Sequence, residues 1–185
     1  MKTSWRRISK EVVFKTPIFD LNCEKSECLR TGVMQNFFYI SCADWVNIIA
    51  LTPDRKLVMI RQYRHGSDCT ELEIPGGGLD KRDSDTVAGG ARELFEETGY
   101  RGKNGRIIGQ VCPNPAIQGN TCYTVMFDDC EQISAPELDD TEVIETILVP
   151  ENNIRQLITS GAIRHGLVLN ALHFFEIQND KPAKK

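Results

Sequence analysis

The sequence predicts an α/β fold: an α/β/α sandwich around a mixed β-sheet, with a small β-rich extension at the N-terminus. Three observations predict it. Strand-like segments lie before and after one central helical stretch that begins near residue 84, and two further helical patterns close the chain. WVNIIALT, residues 45–52, is apolar almost throughout, as expected of a strand covered on both faces. The 185 residues suffice for one domain with an appendage, which divides at residues 1–43 for the extension and 44–185 for the main domain.

The extension holds VVFKTPIF, ECLRTGVM and NFFYIS, all rich in β-branched and aromatic residues, with turns expected over 22–26 and at Gly32. Such a leader buries little by itself. WVNIIALT and KLVMIRQYR (56–64) follow as strands on either side of Pro53-Asp54, and ELEI (71–74) is a short strand feeding a glycine turn. The central helix starts near Ser84, whose hydroxyl suits a cap, and ends at Gly99, a residue fitted to the left-handed position after a helix. Gly89 and Gly90 inside it each cost roughly 1 kcal/mol against alanine, so close packing on a sheet is expected there. RIIGQV, TCYTVMF and EVIETILV read as later strands, with an acidic loop, ELDDTE, before the last. Pro150 opens a helix with Ile154, Leu157 and Ile158 on its apolar face, ending at Gly161. A final helix carries Val168, Ala171, Leu172 and Phe175 at i, i+3, i+4 and i+7, with His173 as a surface residue, and the tail DKPAKK is expected to fray.

Composition narrows the function classes. With 41% apolar and 26% charged residues the chain is that of an ordinary globular protein, and a net charge of −4 offers no basic surface to nucleic acid or to an anionic membrane. No apolar run reaches membrane-spanning length and MKTSWRRISK lacks the apolar core of a signal peptide, so a cytoplasmic protein is expected. Seven scattered cysteines without a CxxC pair, and three histidines outside ligand spacing, speak against a zinc site or a catalytic cysteine.

The chemistry lies in GGGLDKRDSDTVAGGARELFEETGY, residues 76–100. Glu93, Glu96 and Glu97 stand at i, i+3 and i+4, which crowds three carboxylates onto one face near a helix C-terminus, where anions are least welcome. A hard divalent cation among them removes the repulsion, and Arg92 at i, i+4 can hold Glu96. This stretch resembles the Nudix box, the signature of the Nudix hydrolases. The family pattern is glycine, five residues, Glu, seven residues, Arg-Glu-aliphatic, one residue, Glu-Glu, one residue, Gly-aliphatic. Its second half matches Arg92, Glu93, Leu94, Glu96, Glu97 and Gly99, with Tyr100 at the final apolar place. The first half departs by one inserted residue between Gly78 and Asp85. The first acid falls on Asp83 counted forward from EIPGG or on Ser84 counted back from Arg92, and neither is expected to be essential.

The resemblance implies the Nudix fold and hydrolysis of a nucleoside diphosphate linked to another group. It implies Mg²⁺, with Mn²⁺ as the alternative, held by Glu93, Glu97, Glu96 and the Gly76 or Gly77 carbonyl. RQYRHG and a proline fifteen residues beyond the box, Pro115, point within the family to ADP-ribose or a related nucleoside diphosphate sugar. The products would be a nucleoside monophosphate and a sugar phosphate. GDP-mannose, a dinucleoside polyphosphate, or a non-catalytic ADP-ribose-sensing domain are the alternatives. Arg64 is the expected substrate contact, while Arg61 points to the opposite strand face. Asn114 and Asn120 beside Pro115 offer donors and acceptors to the substrate. The general base is expected in the acidic loop, at Glu142 or else Asp140, with Glu96 the next candidate and Glu145 structural. In the ADP-ribose pyrophosphatase branch an N-terminal sheet of this kind packs on a second subunit, which implies a homodimer.

Overall fold

A computed structural model describes residues 4–179 of the chain. The tail over 180–185 lies outside the described residues. The chain forms two compact units. One runs up to Asp44 and takes in Cys112–Thr121; the other holds Trp45–Val111 and the chain from Cys122 onward.

The first unit is an antiparallel sheet of β1 (Trp5–Lys15), β2 (Asp20–Cys28) and β3 (Met34–Ser41) in that order. Gly32, at φ 72°, makes the expected turn between β2 and β3. The turn expected over 22–26 is instead part of β2, where Asn22 pairs with Val12 on one side and Tyr39 on the other. Its buried amide donates to the Asp20 and Tyr39 carbonyls and to the Ser41 hydroxyl, so a turn-forming residue serves as a cross-strand tie. The chain reverses at Thr16, whose hydroxyl accepts from the Phe19 N–H at 2.9 Å. Cys112–Thr121 joins this unit along β3, with Ile40 N–H bonded to Ile117 O and Gly119 N–H to Ile40 O.

The second unit carries the mixed sheet. β4 (Trp45–Ala50) is its centre, parallel to β9 (Cys122–Gln132) and antiparallel to β7 (Gly76–Gly78), and β8 (Tyr100–Val111) completes it against β9. A separate antiparallel sheet has β5 (Lys56–Arg64) between β10 (Ile144–Pro150) and β6 (Cys69–Glu73). The unbroken apolar run of β4 has a simple cause. Val46, Ile48 and Ala50 pack with Leu94 of α1 (Thr86–Thr98), whereas Ile49 and Leu51 pack with Val168, Leu172 and Phe175 of α3 (Gly166–Asn179). Helices on both faces give the expected α/β/α layering.

α1 is capped by Asp85, whose carboxylate accepts from Ala88 N–H at 2.8 Å, and not by Ser84; a carboxylate also suits the positive end of the helix dipole. It ends at Gly99, φ 71°, as expected. Gly90 meets the sheet, since an added Cβ would stand 3.4 Å from Val46 and Val125, but Gly89 faces Leu79 and Asp83. The expected glycine turn is the strand β7, paired to β4. Pro150 precedes a 3₁₀ turn over Glu151–Asn153 and then α2 (Ile154–Thr159), which stops before Gly161 at φ 78°. His173 is exposed. Among the described residues no helix is long and apolar enough to cross a membrane, and all seven cysteines are free.

Candidate active site

β7 sets the backbone of the site between β4 and the α1 carboxylates. The Gly76 N–H donates to Glu97 Oε2 at 2.9 Å. A Cβ at Gly76 would run into the Val46 carbonyl, and one at Gly77 would stand 2.5 Å from Glu93 Oε2. Backbone blocks a side chain at Gly76, so glycine is required there, whereas at Gly77 a side chain would displace the Glu93 carboxylate.

Glu97 is 4% exposed. Burial pushes its carboxyl up to about 8; the charges of Glu93 and Glu142 add to the rise, while the Gly76 N–H and Arg64 work against it. Burial raises Glu93 as well, although Arg92 lies beside it. The two carboxylates, one helical turn apart, are thus both disfavoured as anions by burial. Oxygen donors in that state suit a hard divalent cation. Glu96 is half-buried and turned onto Arg92 Nη1 at 2.9 Å, the same nitrogen that Glu93 Oε1 meets. Among the described residues no three acidic, histidine or cysteine side chains are gathered as a ready-made metal cage.

Arg92 organises the box. Its Nε and Nη2 take the two Asp83 oxygens at 3.0 and 3.1 Å, Nη2 also reaches Gly78 O at 3.2 Å, and Nη1 lies 2.9 Å from Glu93 Oε1 as well as serving Glu96. Asp83 further accepts from Asp80 N–H at 2.8 Å. Ser84 is exposed. The two candidates for the first acid of the box thus differ in their contacts. Asp83 braces the arginine that braces two box carboxylates, and the Arg92 hydrogen bonds hold its own carboxyl below the usual range.

β7 also forms one wall of a cleft of about 750 Å³, with Trp45 and Asn47 beside it. The cleft is also lined by Arg64. Glu73, 2% exposed, holds it by Nε at 2.9 Å and Nη2 at 2.8 Å. Burial alone would raise Glu73, but the Arg64 hydrogen bonds and His165 outweigh it and bring it to about 2. Arg61 points the other way and pairs with Glu145 at 3.2 Å on the surface, which fits a structural reading of both.

Glu142 precedes β10, where its carboxylate accepts from Asp139 N–H at 3.2 Å. Its charge is felt at Glu93, Glu97 and Arg64. Asp140 is exposed in the same loop. Asn114 and Pro115 are exposed on the segment 112–121, where Asn114 O closes a turn by accepting from Ile117 and Gln118 N–H. Asn120 is buried there, with Nδ2 on Ala43 O at 3.3 Å and Oδ1 without a partner.

Sequence reasoning missed Glu71, Arg164 and His165, and noted Glu73 only as part of EIPGG. The two glutamates were within reach, because they stand at i, i+2 on a short strand and therefore share a face. Arg164 and His165 precede α3 with no motif around them.

The comparisons agree with this geometry. Over 97% of both chains, 25% of residues are identical to an ADP-ribose pyrophosphatase of Bacillus subtilis (strain 168). A methanol dehydrogenase activator of Bacillus methanolicus is 27% identical over 94% of this chain and 93% of its own. An ADP-sugar pyrophosphatase of Mus musculus is 32% identical over 59% of this chain and 52% of its own. A crystal structure of an ADP compounds hydrolase superposes with a TM-score of 0.83, covering 95% of this chain and 94% of that one at 19% identity, which establishes the fold. The model of the NUDIX domain matches residues 44–172, from the strand that centres the mixed sheet, through the Arg92–Glu97 helix, to the helix packed behind it. With that match and the box geometry together, the chain belongs to the NUDIX domain family.

Proposed function

We propose that this Nudix hydrolase cleaves the diphosphate of ADP-ribose or a related nucleoside diphosphate sugar, with Mg²⁺ or alternatively Mn²⁺, to a nucleoside monophosphate and a sugar phosphate. The observation that carries this is the pair of half-buried Glu93 and buried Glu97, packed at the glycine strand that walls a cleft containing Arg64, both raised by burial. The relatives named for ADP-ribose and ADP-sugars support the substrate class.

Glu93, Glu97 and the Gly76 carbonyl would hold the metal, with Glu96 kept by Arg92 for a further ion or its water. The cation, when bound, neutralises the diphosphate and stabilises charge that develops as the bond breaks. Arg64, held by Glu73, orients a phosphate through its unused guanidinium edge. Glu142 takes the proton of a water whose oxygen bonds to phosphorus, and the P–O bond to the bridging oxygen breaks so that its electron pair leaves with the other phosphate. Asp140 is the alternative base. Asn114, Pro115 and Asn120 are retained as substrate-side residues.

We also propose a homodimer formed through the first unit. Its sheet leaves Phe14, Met34 and Phe38 exposed on one face, an apolar set of a kind that marks an interaction site. The reducing cytoplasm fits seven free thiols. A panel of nucleoside diphosphate compounds with Mg²⁺ or Mn²⁺, read as phosphate after a coupled phosphatase, tests the activity. Release from ADP-ribose above that from GDP-mannose and dinucleoside polyphosphates is expected, and release from none of them contradicts it.

A further inference from the structure

Two arginines in the cleft wall are held in the same way. Glu71 and Glu73 lie at i, i+2 on β6, so their side chains share one face. Glu73 grips Arg64 of β5, and Glu71 grips Arg164 from the connection before α3, by Nε at 3.0 Å and Nη2 at 3.0 Å. Cys69 Sγ, 2.7 Å from Arg164 Nη2 and 3.2 Å from Glu71 Oε1, locks the second pair further. In each pair the carboxylate is hidden and the guanidinium open: side-chain exposure is 9% for Glu71 against 57% for Arg164, and 3% for Glu73 against 41% for Arg64. No described residue bonds the Nη1 of either arginine, and all four side chains line the same cleft.

A surface tether between α3 and β6 needs neither a buried carboxylate nor a fork with a free edge, and exposed ion pairs add little stability. A guanidinium held rigidly on one edge and free on the other is suited to binding oxygen acceptors, because its geometry is set before the ligand arrives. The carboxylates that hold the two arginines are two residues apart, about 7 Å along the strand. The guanidiniums therefore address neighbouring groups of one extended ligand.

We propose that Arg164 is a second substrate-anchoring residue, positioned by Glu71, that donates to the hydroxyl oxygens of a ribose flanking the diphosphate bound at Arg64. This rests on the reading of the cleft as the site of a nucleoside diphosphate sugar. ADP-ribose carries a ribose on each side of its diphosphate, so ADP, which lacks the terminal one, separates the two sources.

The test compares wild type, Arg164→Gln and Arg164→Lys. Steady-state turnover of ADP-ribose with Mg²⁺ is measured, together with calorimetric binding of ADP-ribose, ADP and inorganic pyrophosphate to metal-free protein. The lysine variant keeps an ion pair to Glu71 but has no second planar edge, so its thermal unfolding should stay near wild type. Both variants should raise KM for ADP-ribose about tenfold with kcat within about twofold, since the lost contact is to a non-reacting part of the substrate. Pyrophosphate binding should not change. A penalty with ADP-ribose alone places the contact on the terminal ribose, and an equal penalty with ADP places it on the adenosine ribose. Wild-type KM in both variants, or an equal loss of pyrophosphate binding, overturns the proposal. Wild-type protein that neither binds nor cleaves ADP-ribose overturns instead the reading of the site on which it rests.

Discussion

Asp83 and Arg92 hold each other by two parallel bonds, Oδ1 to Nε at 3.0 Å and Oδ2 to Nη2 at 3.1 Å, across the loop that carries one residue more than the Nudix pattern. The Asp83 side chain is 8% exposed and that of Arg92 28%, so water replaces neither partner well. Asp83→Ala should lower unfolding stability by about 1–3 kcal/mol and weaken Mg²⁺ activation, because Arg92 is then free to move off Glu93 and Glu96. Ser84→Ala, at an exposed position, should stay within about 0.5 kcal/mol of wild type. Chemical denaturation of the two variants checks this, and equal effects would refute the bracing role.

Glu97 makes stability depend on pH. Its carboxyl rises from an ordinary 4.5 to about 8 in the fold, so the neutral form is the one the fold favours. Its contribution is complete below the unfolded value and is lost as pH rises through about 8. In EDTA, unfolding free energy should therefore fall between pH 5 and pH 8 at up to about 1.4 kcal/mol per unit. Mg²⁺ should restore stability at pH 8, where the ligands are ionised. Glu97→Gln should flatten the slope, abolish the Mg²⁺ effect and reduce kcat about 100-fold or more. A wild-type rate in that variant at saturating Mg²⁺ would end the assignment.

Among the loop acids, Glu142 is the one whose charge reaches Glu93, Glu97 and Arg64. Glu142→Gln should lose roughly 10²–10⁴-fold in kcat with KM and metal affinity little changed. Asp140→Asn and Glu145→Gln should lose no more than about threefold each, the latter because Glu145 only pairs with Arg61 on the surface. Kinetics at saturating Mg²⁺ and ADP-ribose decide it. If all three keep their rate, the base lies elsewhere, with Glu96 the next to test.

The first unit should govern assembly. Phe14 is 60% and Phe38 56% exposed on its sheet. Wild type should sediment as a dimer, and Phe38→Lys should shift it toward monomer, since burying an unpaired ammonium is costly. A monomeric wild type would contradict the interface.

Local signals carried much of this structure. The spacing of Leu94 and the box acids, and Gly99 after them, fixed α1, and the apolar run of β4 foretold helices on both of its sides. Errors arose where local and tertiary preferences competed. Asn22 reads as a turn residue but is buried as a cross-strand tie, and Ser84 reads as a cap but stands one residue before the carboxylate that caps. The contact from Arg164 to Glu71 spans 93 residues and belongs to no motif, so only the fold could bring the pair together.

Cleavage of the diphosphate is predicted to depend on a cation held at Glu93 and Glu97. It is tested most directly by incubating wild type and Glu97→Gln with ADP-ribose and Mg²⁺ and identifying the products chromatographically. Equimolar AMP and ribose 5-phosphate from wild type, with neither from the variant, is the predicted result. Intact ADP-ribose in both reactions, or the same products at the same rate from both, would contradict the account.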